Sequence, residues 1–131
     1  MNSKVEWVLL VDDDEIQNFI HQRIIGKYLS ESKIYIATNG EEALATLTAQ
    51  QQNNLHKTKG IIFLDINMPV MNGFQFLEIY NKEFSAVYDQ TVVYPLSSSE
   101  DITDVLQMTN LGINNYLVKP LTHEQAGALL K

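Results

Sequence analysis

The sequence predicts an α/β domain with a parallel sheet, and three observations carry that prediction. Short apolar runs rich in branched residues alternate with longer segments of helical period, which is the pattern of βαβ units. The short runs are apolar almost throughout, as strands covered by helices on both faces must be. The residues at which they stop are polar, and in an open α/β sheet that edge is where ligands bind.

Five strand and helix pairs can be followed along the chain. Trp7 to Val11 reads as the first strand and ends in Asp12. In the helix after it, Ile16, Phe19, Ile20 and Ile24 recur at three- and four-residue spacing, so they are expected to face a core, with Gln17, Gln22 and Arg23 in water. Lys33 to Ala37 is the second strand and Thr38 to Gly40 its turn. Glu41 to about Gln51 is a helix, Thr38 and Glu41 standing at capping-box spacing. The polar stretch from Gln50 to Lys59 has no period and reads as a helix end fraying into a loop.

Gly60 to Leu64 is the third strand, closing on Asp65. A loop with Met68-Pro69 and Asn72-Gly73 leads to a helix carrying Phe74, Leu77 and Ile79. Val92 to Leu96 is the fourth strand, with Pro95 inside it, where a missing N–H removes a ladder bond or calls for a bulge. After Ser97-Ser98-Ser99, a helix from near Glu100 is expected to bury Ile102, Val105 and Leu106 and to end at Asn110 to Gly112. Asn115 to Val118 is the fifth strand. Beyond Lys119-Pro120, Thr122 and Gln125 open the last helix at capping-box spacing.

Composition limits what such a domain can do. The 131 residues suffice for one domain spanning 1–131, without room for an output domain. The absence of cysteine removes disulfide scaffolds, thiolate metal sites and thiol nucleophiles, and a reducing cytoplasm is the expected location. No apolar stretch approaches the roughly 20 residues of a membrane span, so no membrane insertion is expected. Nine Lys and Arg against sixteen Asp and Glu give a net charge of −7, which argues against direct nucleic-acid binding over a broad face.

The polar strand ends are Asp12-Asp13, Asp65, Ser97 and, near the fifth strand, Lys119. The intervals between them are what one or two strand and helix repeats consume, so all can meet on one sheet edge. Three carboxylates in a partly dry crevice repel one another unless a cation neutralises them. Oxygen-only ligands point to Mg2+, with Asp13 and Asp65 as direct ligands and Asp12 acting through water. Lys119 adds a mobile positive charge and Ser97 a hydroxyl donor. A carboxylate nucleophile, Mg2+, a lysine and a hydroxyl are parts for phosphoryl transfer, in which a protein mainly positions groups and offsets charge.

Each residue has a plainer reading. Asp12 to Glu15 alone would be a solvated helix start, and Asp14 and Glu15 are assigned to that cap. Asp65, Ser97 and Lys119 alone would be a turn residue, a turn hydroxyl and a surface lysine. Their shared position at strand ends favours the site. His21, His56 and His123 share no ligand spacing and are expected on the surface, and Trp7 in core or edge packing.

Leu9-Leu10-Val11-Asp12-Asp13-Asp14, Leu64-Asp65-Ile66-Asn67-Met68-Pro69, Leu96-Ser97-Ser98 and Tyr116-Leu117-Val118-Lys119-Pro120 resemble the motifs of bacterial two-component response-regulator receiver domains, in their order and spacing and across nearly the whole chain. The likeness is to the stand-alone, chemotaxis-regulator kind. It implies a flavodoxin-like (βα)5 fold, a doubly wound five-stranded parallel sheet with strand order 2-1-3-4-5. It implies that Asp65 accepts phosphate from a sensor histidine kinase or histidine phosphotransfer protein, and that Asp12, Asp13, Asp65 and the Asn67 carbonyl hold Mg2+. Ser97 and Lys119 would bind the phosphoryl group, the Lys119-Pro120 peptide would be cis, and Tyr116 would be the aromatic switch that turns inward as Ser97 moves.

The resemblance further implies a phosphorelay signalling protein that is no enzyme in the turnover sense, though it catalyses its own phosphorylation and dephosphorylation. Its state would be read through the face of the fourth helix, fifth strand and fifth helix, where Leu106, Met108, Tyr116, Leu117 and Gln125 lie. Ser97 stands where the family more often has Thr. Ser99 and Asn67, each two residues beyond a site residue, would flank the phosphoryl group.

Two rival classes differ from this one at particular residues. A Mg2+-dependent phosphatase of the haloacid-dehalogenase kind needs an acid two residues after its nucleophile, where this chain has Asn67. A phosphate-independent interaction module is marked by loss of an acidic or lysine group, and all are present.

Overall fold

The computed structural model describes residues 4–68, 70–97 and 102–131, with the side chain at 102 excepted. Pro69, Ser98, Ser99 and the expected helix start at Glu100 lie outside them. Five strands, β1 (Trp7–Val11), β2 (Ile34–Ala37), β3 (Gly60–Asp65), β4 (Thr91–Ser97) and β5 (Leu117–Val118), form one sheet in the order β2-β1-β3-β4-β5. All pairings are parallel, as the implied flavodoxin-like fold requires. The helices are α1 (Glu15–Ile25), α2 (Gly40–Gln50), α3 (Gly73–Glu83), α4 (Ile102–Asn110) and α5 (His123–Leu130).

Alternation along the strands builds two cores. Trp7, Leu9 and Val11 of β1, with Ile62 and Leu64 of β3, pack against Ala43 and Leu47 of α2 and Phe76, Leu77 and Tyr80 of α3. Val8, Leu10, Ile61 and Phe63 point the other way, onto Ile24 and Ile25 of α1 and Ala126 and Leu130 of α5. β1 and β3 are buried at every position, which is why they read as continuous apolar runs.

The largest departure is α1. Ile16, Phe19 and Ile20 are 69%, 58% and 37% exposed, and the buried side is Asn18, His21, Ile24 and Ile25. The helix carries two adjacent apolar stripes, and period alone does not say which one faces inward. Here the inward stripe contains two polar residues because backbone groups across the interface bond to them: Asn18 Nδ2 donates to the Asp12 carbonyl at 2.8 Å, and His21 Nε2 accepts from the Leu121 N–H at 3.1 Å. The expectation that His21 lies on the surface fails for the same reason.

Other differences are smaller. Asn39, not Thr38, caps α2, its side chain accepting from Glu42 N, while Thr38 donates through N and Oγ1 to the Glu42 carboxylate. The stretch 51–57 forms two 3-10 turns, and Trp7 Nε1 donates to the Leu55 carbonyl at 3.1 Å. Leu106 is 60% exposed and Met108 is the buried anchor of α4, so Met108 leaves the docking face expected to include it. β5 is only Leu117–Val118. The Val93 and Ser97 carbonyls face the β5 edge, bonding Asn115 Nδ2 and Lys119 N, so Pro95 between them faces that edge too. The β3–β4 ladder therefore runs past Pro95 without a bulge.

Gly60 begins β3 under the Trp7 indole, where a Cβ would stand 1.9 Å from Trp7 Cε2. Because the indole is fully buried and hydrogen-bonded, it cannot swing away. Gly60→Ala is expected to cost about 2–3 kcal/mol through overpacking, measured by urea unfolding followed through Trp7 fluorescence.

Candidate functional site

The carboxyl ends of β1 and β3 and the segment after β5 deliver their polar residues to one cleft. Asp12 follows β1 and is only 2% exposed; its Oδ1 accepts from the Asp14 N–H at 2.9 Å. Asp14 in turn caps α1, accepting from Ile16 N and Gln17 N, so the first-turn role read for it holds. Asp65 ends β3, is 4% exposed, and its Oδ1 accepts from the Asn67 N–H at 3.1 Å. Lys119 reaches across from the end of β5, with Nζ 2.7 Å from Asp12 Oδ2 and 3.4 Å from Asp65 Oδ2.

Asp13 is exposed, yet carboxylate oxygens of Asp12, Asp13 and Asp65 all lie within 4.8 Å of one another. They border a cleft of about 420 Å³ together with Asn67 and Lys119. Ser97 is buried at the end of β4 and its carbonyl accepts from the Lys119 N–H at 2.8 Å; it is not among the residues lining the cleft. Tyr116 lies just before β5, half-buried against Ile66, Phe74 and Met108. The Lys119-Pro120 peptide is cis, as the resemblance implies.

The electrostatics follow from burial and from the charges that face one another in the cleft. Burial pushes the Asp65 carboxyl up to about 6, opposed by the Asn67 N–H and the Lys119 ammonium and reinforced by the Asp12 charge. Burial pulls the Lys119 ammonium down, but its hydrogen bond to Asp12 and the charges of Asp65 and Asp12 outweigh that and hold it above its ordinary value. The site thus has more negative charge than one ammonium neutralises. Hard oxygen donors at this separation fit Mg2+.

A close approach of backbone secures Asp65. Gly73, first residue of α3, lies so near the strand end that a Cβ would stand 2.6 Å from Ile66 Cα and 2.8 Å from the Asp65 carbonyl oxygen, and its N–H donates to the Ile66 carbonyl at 3.2 Å. Its neighbour Asn72 caps the helix in a reciprocal capping box with Gln75. Sequence reading passed over this glycine, although Asn-Gly before a helical period hinted at a tight junction. Asn18 gave no signal in the sequence, and His21 was expected on the surface.

Residues 8–131 match the family described as the response regulator receiver domain. The chain belongs to that family. A solved two-component response regulator from Cytophaga hutchinsonii is 32% identical with a TM-score of 0.81, the match covering 96% of this chain and 94% of that one. One from Legionella pneumophila is 33% identical with a TM-score of 0.76, covering 96% and 95%. Among curated proteins, the probable C4-dicarboxylate response regulator DctR of Halalkalibacterium halodurans is 25% identical over 94% of this chain and 49% of its own length. The Regulator of RpoS of Escherichia coli K12 is 28% identical over 87% and 30%. This receiver domain thus spans half or less of the length of these two curated relatives. Receiver domains are signalling domains of two-component systems that generally bind Mg2+ through an acidic pocket, and this one carries a cluster of Asp12, Asp13 and Asp65. Among the described residues no helix is long and apolar enough to cross a membrane.

Without Mg2+, the Asp65 carboxyl carbon is expected to titrate near 6, followed by carbon NMR. Lys119→Met should move that midpoint higher, because the ammonium favours the charged form. A midpoint at the ordinary carboxylate value, unmoved by the substitution, would contradict both the burial of Asp65 and its pairing with Lys119.

Proposed function

We propose that this receiver domain is the phosphoacceptor of a two-component phosphorelay and that Asp65 is the residue phosphorylated. The observation that carries the reading is the single Lys119 ammonium bridging the Asp12 and Asp65 carboxylates at 2.7 and 3.4 Å at the mouth of an acidic cleft.

In the reaction, a carboxylate oxygen of Asp65 attacks the phosphorus of a phosphohistidine, forming the P–O bond as the P–N bond breaks and leaving the donor histidine as neutral imidazole after protonation. Asp12, Asp13, Asp65 and the Asn67 carbonyl would hold Mg2+, which supplies positive charge to offset the phosphoryl oxygens. Lys119 then pairs with a phosphoryl oxygen in place of Asp65. Ser97, at the adjacent strand end, draws toward the same group. The raised affinity of Asp65 for a proton leaves a carboxylate at neutral pH with enough basicity to be a competent nucleophile.

Phosphorylation shifts an equilibrium between two arrangements of the β4 and β5 region, because the dianion pairs with Ser97 and Lys119 in only one of them. Tyr116, half-buried beside Phe74 and Met108, is the residue that follows Ser97. A partner protein reads the active state on the face of α4, β5 and α5, where Leu106 and Val118 are exposed. The phosphodonor, a histidine kinase or phosphotransfer protein, approaches beside the cleft, where Ile16, Phe19 and Ile20 of α1 are open to solvent. The domain works in the cytoplasm and turns over no external substrate beyond its own phosphorylation and dephosphorylation.

Incubation with a small acyl phosphate or a phosphohistidine donor and Mg2+ should add one phosphoryl group, located on Asp65 by mass spectrometry of peptides. Asp65→Ala should abolish the addition while its circular dichroism stays native. Omission of Mg2+ should slow it at least tenfold. An unchanged mass in the wild type, or label that persists in Asp65→Ala, would overturn the reading.

A further inference from the structure

We propose that His21 is a positioning residue for Lys119, holding the main chain on which that lysine is mounted. Asn18, one turn earlier on the same face of α1, does the same for Asp12. The inference rests on the function proposed above and assigns a task to two buried polar side chains which that function does not use.

Asn18 and His21 are 4% and 1% exposed, on the helix face that otherwise presents Ile24 and Ile25 to an apolar core. Polar groups in such a place cost free energy unless they are bonded. Asn18 Nδ2 donates to the carbonyl of Asp12 at 2.8 Å, and His21 Nε2 accepts from the N–H of Leu121 at 3.1 Å. Asp12 and Lys119 are the two ends of the 2.7 Å ion pair, and Leu121 is two residues beyond Lys119. One helix face therefore fixes the backbone on both sides of the cleft.

The geometry of the segment from Lys119 to Leu121 makes His21 the informative member. Its front is tied to the sheet by Lys119 N donating to the Ser97 carbonyl at 2.8 Å. Pro120 has no N–H to give. Leu121, fully buried, has its N–H satisfied by the His21 ring, and Thr122 is committed to capping α5. The acceptor must be the unprotonated ring nitrogen, and burial, which pulls the His21 imidazolium below its ordinary value, keeps it so. A leucine would fill the same apolar space but leave the Leu121 N–H without its acceptor, freeing the backbone that sets the reach of Lys119.

The experiment compares His21→Leu with His21→Gln, whose side-chain carbonyl can still accept, in the full chain with acetyl phosphate and Mg2+. Three quantities are read: the maximal rate of Asp65 phosphorylation, the Mg2+ dissociation constant by calorimetry, and the hydrogen exchange of the Leu121 amide by NMR. For His21→Leu we expect a free Leu121 amide, a maximal rate reduced about tenfold and a Mg2+ affinity within twofold of wild type. For His21→Gln we expect a protected amide and a rate within threefold of wild type. The proposal is overturned by a variant whose Leu121 amide exchanges freely while its rate stays normal, or by one that keeps the amide protected and still loses the rate. If His21→Leu does not fold, His21→Gln decides alone by the same pairing of protection and rate. A wild type that takes up no phosphate overturns the underlying reading instead.

Discussion

Three carboxylates share one cleft with an ammonium that bridges two of them, and most of what is distinctive in this domain follows from keeping them there. At an effective dielectric near 20, two like charges 4 Å apart repel by about 4 kcal/mol, and the Lys119 ammonium opposes that repulsion by pairing with both Asp12 and Asp65. Burial raises the Asp65 carboxyl until it titrates near 6, with the Lys119 charge opposing that rise and the Asp12 charge adding to it. A fold that did not need the cluster would relax it. Here strand ends, a capped helix and a glycine junction hold the acids together.

The sheet order does much of this holding. β1 and β3 are neighbours, so Asp12 and Asp65 emerge side by side; β4 and β5 follow, and the Ser97 carbonyl ties down Lys119 N. The ion pair from Lys119 to Asp12 then spans two intervening strands, β3 and β4. Such a link couples the outermost strand, β5, to β1 across the sheet, as the proposed signal from the cleft to α4, β5 and α5 would require. α1 supports the same link from below, through side chains that bond only to backbone.

How much of this was legible in the sequence depended on what kind of signal each residue gives. Strands buried on both faces are plain apolar runs, so β1 and β3 stood within one residue of their bounds, and the acids at their ends marked the site edge. The capping box of α5 was read outright because its two residues carry the whole interaction. α1 was misread because Ile16, Phe19 and Ile20 make a better stripe than Asn18, His21, Ile24 and Ile25, and a polar side chain counts against burial unless its partner is known. Those partners, the Asp12 carbonyl and the Leu121 N–H, are backbone groups, and the second is 100 residues away. No local pattern reports such a bond. β5 was expected too long because Asn115 and Tyr116 have strand-like neighbours, whereas Pro95 offers them no donor on that edge.

Burial of the Asp65 carboxylate also sets a stability cost with a definite sign. A buried acid whose affinity for protons is raised on folding adds stability below its unfolded pKa and loses it as pH rises through the folded value, so at neutral pH Asp65 destabilises the metal-free domain. Thermal unfolding of the wild type and Asp65→Asn at neutral pH, with and without Mg2+, measures this directly. The variant should be the more stable of the two without metal, and Mg2+ should raise the wild-type midpoint while leaving the variant nearly unmoved. A variant less stable than wild type, together with a wild-type midpoint indifferent to Mg2+, would contradict the account.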